Sequence, residues 1–241
     1  MKRGPARVLA ATPFTDVTAS DVAADWLNLD PPPDLCPLRT DPRDKQRWIP
    51  VHGSYLPEAH NRCFDQALKR LDWTRLLMLE NDMVVHAHVV ARCRTHTADV
   101  TSGLYFSRRY PPLPILWKDV SPDGRAINLN HLDIATLLEL PAGEHPIGAA
   151  GTGILSIARH VIELMPQPWF EPSPEALREG HYGGHDLYFC AKARAQGFSV
   201  AVDTSPLMLA EHAGRDRVGL KHYLAEMKAR ADYQDRQDGA A

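Results

Sequence analysis

The chain has 241 residues, of which 44% are hydrophobic and 24% are charged, as is usual for one globular domain with a substantial core. A net charge of −3 argues against a broad basic surface for nucleic acid, although Arg108, Arg109 and Lys118 could form a local basic face or simply a solvated loop. No apolar run is long enough to span a bilayer, and the start MKRGP lacks the apolar segment of a signal peptide, so the expected location is cytoplasmic.

The first part of the chain predicts alternating strands and helices. In chain order, we expect a strand at 7–11, a helix at 20–29, a short strand at 48–51 within a proline-rich loop, a helix at 61–71, a buried strand at 75–79, a helix at 83–93 and a strand at 100–106. The helix at 61–71 is the firmest of these helices, because Phe64, Ala67, Leu68 and Leu71 share one face.

The second part begins with a proline-rich loop at 110–114. We then expect a strand at 154–158, a helix at 159–164, a helix opened by Asp186 and a strand at 200–203. A final helix at 218–227 presents the stripe Leu220, Tyr223, Leu224 and Met227, which should dock on the domain or on a second subunit. Residues 232–241 are polar, and we expect little order there. The predicted organisation is one domain over residues 1–217 and a C-terminal helix with a flexible tail over 218–241.

An acidic turn follows the buried strand at 75–79, where Glu80 and Asp82 flank Asn81. In an open α/β sheet, ligands bind where the strands end, so this turn predicts a metal or cofactor site, although acidic residues are also common in solvated turns. A divalent cation held by such carboxylates neutralises the oxygens of a nucleotide diphosphate. The pattern therefore points to an enzyme that uses a sugar nucleotide.

A second chemical motif is Gly184-His185-Asp186. The glycine leaves the backbone free to approach a ligand, and the dipole of a helix that starts here favours an acidic side chain. Helix capping and catalysis explain Asp186 equally well at this level. Downstream, His212 follows the strand predicted at 200–203 and is either a metal ligand or a surface residue.

The cysteines and histidines of the chain could form other kinds of site. No two of the four cysteines form a C-x-x-C pair, so Cys36, Cys63, Cys93 and Cys190 are expected to be reduced packing residues. Twelve histidines invite a metal-dependent hydrolase, with ligand-like spacings in the pairs His86 and His88, and His181 and His185. The glycines at 183 and 184 interrupt the helix that a metallopeptidase motif would require, which weakens this alternative.

Five segments, in order and spacing, resemble GT-A-fold glycosyltransferases, the nucleotide-sugar-dependent class, and particularly compact family-two-like members from bacteria and phages. They are GSYLPEAHN at 53–61, WTRLLMLENDM at 73–83, TSGLYF at 101–106, GTGILSI at 151–157 and GHDLYFCAKARAQGFSVAVDTS at 184–205. The resemblance covers roughly residues 8 to 213. It implies an α/β fold in which helices flank a mixed, mainly parallel sheet.

The resemblance also implies a role for each matching residue. Asp82 would be the principal ligand of Mn²⁺ or Mg²⁺, supported by Glu80 and His212, and Asp186, beside His185, would be the general base of an inverting transfer. The UDP- or GDP-linked donor would be contacted by Thr12, Pro13, His60, Asn61, Glu80, Asn81, Gly151, Thr152 and Gly153. The acceptor would face Tyr110 and Trp117.

Two residues depart from the family pattern. His185 stands where the family has glutamate and His60 where it has arginine, and neutral imidazole copies neither fixed charge. These departures keep open a relative that binds sugar nucleotides without transferring the sugar. The acceptor is also open, among a glycan, a lipid-linked sugar, a small metabolite and a modified DNA base, and a homodimer is possible.

Overall fold

The computed structural model of the chain describes residues 7–14, 48–52, 56–124, 134–179, 184–213 and 217–238. The helix predicted at 20–29, together with Cys36, His181 and Gly183, lies outside these ranges. Within them, no helix combines the length and the hydropathy that crossing a membrane requires.

The described residues form short strands and helices in alternation. The strands are β1 (Val8–Phe14), β2 (Trp48–His52), β3 (Arg75–Leu79), β4 (Met83–Val85), β5 (Val100–Gly103), β6 (Leu116–Trp117), β7 (Glu144–Pro146), β8 (Ala149–Ala150), β9 (Ile154–Ala158), β10 (Val200–Asp203) and β11 (Ala210–His212). The helices are α1 (Leu56–Leu68), α2 (Val89–Cys93), α3 (Ile134–Glu139), α4 (Arg159–Leu164), α5 (Pro174–Arg178), α6 (His185–Ala195) and α7 (Leu220–Asp238), with a 3-10 turn at Pro206–Met208.

The central sheet has the strand order β2-β1-β3-β9-β5-β10-β7 in the described part of the chain. The strands β2, β1, β3, β5 and β10 run in one direction, whereas β9 and β7 run against their neighbours. The prediction of a mixed, mainly parallel sheet is therefore confirmed. Two small antiparallel pairs, β4 with β11 and β6 with β8, lie beside this sheet.

Helices cover both faces of the sheet, and the strands alternate between two apolar cores. On β3, Leu76 and Met78 belong to the same core as Phe64 of α1, while Leu77 and Leu79 belong to the core that contains Val89 of α2. A strand that is buried on both faces needs apolar residues at every position, which explains the continuous run at 75–79. The strand predicted there and the predicted elements at 154–158, 159–164 and 200–203 have the bounds expected.

The helix predicted at 61–71 is displaced toward the N-terminus. It spans Leu56–Leu68, and Leu71 lies beyond its end with 86% of its surface exposed. The indole of Trp73 donates hydrogen bonds to the carbonyl oxygens of Ala67 at 2.8 Å and of Arg70 at 3.2 Å. These bonds go to carbonyl oxygens at and beyond the end of the helix, which stops at Leu68.

The helix predicted at 83–93 is wrong in its first part. Residues Met83–Val85 form strand β4, which pairs with β11, and only Val89–Cys93 is helical. The β-branched pair Val84 and Val85 suits a strand, but the partner that fixes this choice lies more than a hundred residues away.

The C-terminal helix is longer than predicted, because α7 continues through residues that were expected to have little order and ends at Asp238. Half of the predicted stripe docks on the domain: Leu220 and Tyr223 pack against the core, and the ring of Tyr223 stacks on Phe106 with centroids 5.0 Å apart. Leu224 and Met227 remain 46% and 45% exposed.

Three of the cysteines bear out the prediction of reduced packing residues. Cys63, Cys93 and Cys190 are buried and free. Burial raises the pKa of each thiol to about 12, so the thiols stay protonated and unreactive at neutral pH.

Candidate functional site

The predicted site residues gather at one edge of the central sheet. Strands β3 and β5 end at this edge, and β9, which runs in the opposite direction between them, begins there, with Leu79 paired to Ile154 and Ser102 paired to Leu155. The segments that follow β3 and precede β9 are therefore neighbours. The edge is the carboxyl end of the parallel strands, where ligands bind in open α/β sheets.

Glu80 is held by the protein itself. Its Oε1 atom accepts a hydrogen bond from the hydroxyl of Thr152 at 2.5 Å and lies 3.4 Å from Nε2 of His60, and its backbone N–H donates to the carbonyl of Gly153 at 3.0 Å. Burial alone would raise the pKa of this carboxyl, but His60 and Thr152 bring it to about 2. Glu80 is thus ionised at neutral pH and fixes the segment 151–153 against the end of β3.

Asp82 has one carboxylate oxygen without a partner. Its Oδ2 atom lies 2.8 Å from Nη2 of Arg108, whereas Oδ1 is buried and has no hydrogen-bond partner. Burial, and then the negative charge of Glu80, raise the pKa of Asp82, while His212 and Arg108 oppose that rise. A buried carboxylate oxygen without a partner is costly, which marks it as an atom that a ligand would satisfy.

His212 is brought to Asp82 by the pairing of β4 with β11. Met83 lies opposite His212 in this pair, and the N–H of Ala213 donates to the backbone carbonyl of Asp82 at 2.7 Å. Nδ1 of His212 lies 2.6 Å from the carbonyl oxygen of Phe106, which can only accept, so Nδ1 carries a hydrogen and Nε2 is the nitrogen with the lone pair in the neutral ring. Histidine ligands of metals are oriented in this way by a backbone carbonyl.

The free oxygen of Asp82 and the free nitrogen of His212 fit a divalent cation with mixed oxygen and nitrogen ligands, such as Mn²⁺. Across the described ranges, no group of three or more histidine, cysteine, aspartate or glutamate side chains is arranged to hold a metal by itself. A cation at Asp82 and His212 would therefore need further oxygens, which a diphosphate and water can supply.

The two histidines that depart from the family pattern are neighbours. The rings of His60 and His185 stack with centroids 5.5 Å apart, and Phe170 packs against both. Nδ1 of His60 and Nε2 of His185 are buried without hydrogen-bond partners, and Nε2 of His60 has only the 3.4 Å contact with Glu80. Burial lowers the pKa of His185, against the opposing effect of Asp186, and this favours a neutral ring.

Asp186 is the second residue of α6 rather than its cap. The helix begins at His185, and the cap position is Gly184, whose φ of 70° is a left-handed conformation that glycine adopts without strain. One oxygen of Asp186 accepts a hydrogen bond from the N–H of Leu187 at 2.9 Å. Burial raises the pKa of Asp186 and outweighs His185, which lowers it. A carboxylate with a raised pKa takes up a proton more readily, as a general base must.

Tyr105 lies at the centre of the site, and sequence reasoning assigned it no role. It is buried, its hydroxyl accepts a hydrogen bond from the N–H of Gly153 at 3.1 Å, and its ring meets His212 edge-on with centroids 5.3 Å apart. A Cβ at Gly151 would lie 2.2 Å from the Tyr105 hydroxyl, and one at Gly153 would lie 2.9 Å from its ring. These glycines therefore make room for Tyr105. In the sequence, the only indication of a role for Tyr105 was its place in the segment TSGLYF.

Replacing Gly151 by alanine should destabilise the protein by about 2 kcal/mol or more, because the new methyl group overlaps Tyr105 and Ile115 in a packed core. Urea unfolding measures the change. Gly143→Ala is the matched control, since its added methyl group would have no atom nearer than 4.0 Å. Equal unfolding midpoints for the two variants would contradict this packing.

The remaining residues that were predicted to contact the sugar-nucleotide donor lie in several different surroundings. Thr12 lies in β1, and its hydroxyl is buried without a hydrogen-bond partner. Pro13 follows it in the same strand. Asn61 uses its side-chain amide on the backbone of Phe170, donating to the carbonyl at 2.6 Å and accepting from the N–H at 2.9 Å. Asn61 therefore ties α1 to that segment. Asn81 is half-buried in the turn after Glu80.

The two predicted acceptor residues lie in different settings. Tyr110 is 82% exposed, and its hydroxyl donates a hydrogen bond to Glu226 of α7. Trp117 lies in β6 and packs in part against the larger core. The structure adds little support for a metal-dependent hydrolase. In the pair His86 and His88, Nδ1 of His86 accepts a hydrogen bond from the N–H of His88 at 3.1 Å. In the other pair, His181 lies outside the described residues.

No protein-family model and no curated protein matches the chain in sequence. Among solved structures, A197 from STIV is similar over 88% of this chain and 93% of that chain, with a TM-score of 0.55 and 15% identity. S. aureus TarS 1-349 is similar over 83% of this chain and 58% of that chain, with a TM-score of 0.44 and 12% identity. The inositol-1-phosphate CTP transferase from T. maritima is similar over 83% and 86%, with a TM-score of 0.34 and 10% identity. The likeness to A197 supports the fold alone, and the two lower scores carry no argument about function.

Proposed function

We propose that this chain is a metal-dependent glycosyltransferase of the GT-A type, which moves a sugar from a nucleotide-diphosphate donor to an acceptor hydroxyl. The observation that carries the proposal is the pair formed by Asp82 and His212 at the carboxyl edge of the sheet. Each presents one free ligand atom, and each is fixed through its other atom, by Arg108 or by the carbonyl of Phe106. The resemblance of the five sequence segments supports the same activity.

Asp82 and His212 would hold Mn²⁺ or Mg²⁺, and the bound cation would neutralise charge that develops on the leaving diphosphate. The ionised Glu80 adds negative charge beside this pair and favours a cation there. Its hydrogen bond from Thr152 keeps the segment 151–153 in place next to the donor. The free hydroxyl of Thr12 is a further candidate contact for the nucleotide.

Asp186 would be the general base. It accepts the proton of the acceptor hydroxyl while the acceptor oxygen forms a bond to the anomeric carbon and the bond from that carbon to the diphosphate oxygen breaks. Attack from the face opposite the leaving group inverts the anomeric configuration. Burial lowers the pKa of His185 and so disfavours its charged form, and burial of Asp186 outweighs the opposing effect of His185 on the carboxylate.

A second candidate is a protein that binds sugar nucleotides without transferring the sugar. The specific observation that favours it is Arg108, which occupies one oxygen of Asp82 and could pair directly with a diphosphate. The two candidates differ in one property, because both bind the donor but only the transferase releases free nucleotide.

A donor screen tests the proposal. UDP- and GDP-linked sugars are incubated with the protein and candidate acceptors in manganese or in EDTA, and the released nucleotide is measured. We expect release from at least one donor, in manganese only. Tight donor binding without any release would favour the second candidate, and the absence of both would remove the proposal.

Replacing His212 by alanine should weaken Mn²⁺ binding about tenfold or more, because the cation loses its nitrogen ligand. Acidifying the solution should weaken binding by the wild type as well, since protons compete for the imidazole. The free manganese is measured by electron paramagnetic resonance. His160→Ala, which removes an exposed histidine from α4, is the control. If both variants bind Mn²⁺ as the wild type does, His212 is not a ligand.

A further inference from the structure

A groove of about 480 Å³ lies between the loop 108–112 and helix α7. It has no assigned part in the proposed transfer. Arg108, Arg109, Tyr110 and Pro112 line it on the loop side. Its volume is within the range of pockets that hold small ligands. Arg108 also contacts Asp82, so this residue links the groove to the candidate donor site.

Both walls of the groove are held in place. At the base of the loop, Phe106 bridges to Pro114 and the N–H of Ser107 donates to the carbonyl of Leu113 at 2.8 Å. On the other side, the stacking of Tyr223 on Phe106 fixes α7 to the same segment. The hydroxyl of Tyr110 reaches across to Glu226. The groove is therefore preformed, which lowers the entropic cost of binding.

The lining of the groove carries excess positive charge. Its acidic residue, Glu226, accepts a hydrogen bond from Tyr110 and pairs with Arg230 at 2.8 Å. Arg108 is paired with Asp82, but Arg109 is exposed and has no acidic partner in the part of the chain that the structure describes. Nδ1 of His222 accepts from the N–H of Gly219 at 3.2 Å, which leaves its Nε2–H as a free donor. Arg109 and His222 together suit an anion.

The rest of the lining is apolar. Pro112, Ala225 and Ala229 carry no polar side-chain atoms, and the exposed ring of Tyr110 stands beside them. Aromatic faces and small apolar side chains suit the C–H face of a sugar ring. The groove thus combines a surface for a small ring with donors for an anionic group.

We propose that this groove binds a phosphorylated sugar, with its phosphate on Arg109 and His222 and its ring against Tyr110, and that this sugar is the acceptor. The inference rests on the proposed function, because a sugar in the groove can be an acceptor only if a donor binds at the site to which Arg108 connects the groove. The phosphate provides the affinity, and Arg108, which lines the groove and contacts Asp82, places the bound sugar beside the candidate donor site.

Calorimetry with glucose 6-phosphate, in the absence of nucleotide and metal, tests the groove separately from the transfer reaction. We expect Arg109→Gln to lower the affinity about tenfold or more, since a charge-assisted contact is lost. Arg70→Gln is the matched control, because it also removes an exposed positive charge but lies beyond the end of α1. Glucose and a short-chain alkyl phosphate should both bind much more weakly than glucose 6-phosphate.

A second variant guards against an indirect effect of Arg109. Ala225→Glu keeps Arg109 but adds bulk and negative charge inside the groove, and it should also abolish binding of glucose 6-phosphate. UDP in manganese should leave that binding unchanged, because it occupies the donor site. Equal affinities of wild type and both groove variants, tighter binding of the alkyl phosphate, or displacement by UDP would each overturn the groove proposal. A donor screen that fails while the groove still binds would overturn the proposed transfer instead.

Discussion

Asp186→Asn should lower turnover about a hundredfold or more while leaving donor affinity nearly unchanged, because asparagine keeps the shape of the side chain but cannot accept the proton of the acceptor. Steady-state kinetics gives the turnover, and calorimetry gives the donor affinity. Asp65→Asn, an exposed aspartate of α1, is the control for a general change of charge. An Asp186→Asn enzyme with full turnover, or a product that retains the anomeric configuration of the donor, would exclude Asp186 as the base of an inverting reaction.

The pH dependence follows from the environment of Asp186. Burial raises its pKa, so activity that requires the ionised carboxylate should fall on acidification at a higher pH than for an exposed aspartate. His185→Glu places a second carboxylate next to it, which raises that pKa further and should move the acid limb of the rate profile to higher pH. An unchanged acid limb would show that residue 185 does not tune the base.

Asp82→Ala should abolish the dependence of donor binding on manganese. Among the described residues of the site, Asp82 holds a carboxylate oxygen that is buried without a partner, whereas Oε1 of Glu80 already accepts a hydrogen bond from Thr152 and lies close to His60. Calorimetric titration of UDP and GDP in manganese and in EDTA measures the effect. The two conditions should give different affinities for the wild type and the same affinity for the variant.

The fold gives this experiment a clear control. The N–H of Ala213 donates its hydrogen bond to the backbone carbonyl of Asp82 rather than to the side chain, so β4 and β11 should stay paired in the variant. Asp123→Ala removes a half-buried aspartate that pairs with Arg178, away from the site, and should behave as the wild type. Unchanged donor affinity of Asp82→Ala in manganese would remove Asp82 from the site.

Local sequence patterns predicted the elements whose signal is contained within them. The continuous apolar run at 75–79 and the strand and helix at 154–164 have the bounds expected, because burial on both faces and the stop at Pro166 are visible in the sequence itself. The acidic turn after β3 was found for the same reason. This turn lies at the carboxyl edge of the sheet because it directly follows one of the parallel strands.

Contacts between distant segments could not be predicted in this way. The pairing of β4 with β11 turns a predicted helix into a strand, and it also brings His212 to Asp82. The ion pair of Arg108 with Asp82 and the packing of Tyr105 against Gly151 and Gly153 likewise join separate parts of the chain. The length of α7 was missed because polar residues near a terminus look alike in a loop and on an exposed helix.

The most direct test of the site is a crystal structure of the protein with Mn²⁺ and UDP or GDP, in which the anomalous signal of manganese locates the cation. We predict manganese between Oδ1 of Asp82 and Nε2 of His212, with the diphosphate completing its coordination at the carboxyl edge of β3. Manganese and diphosphate bound elsewhere, with Asp82 still paired only to Arg108, would contradict the account.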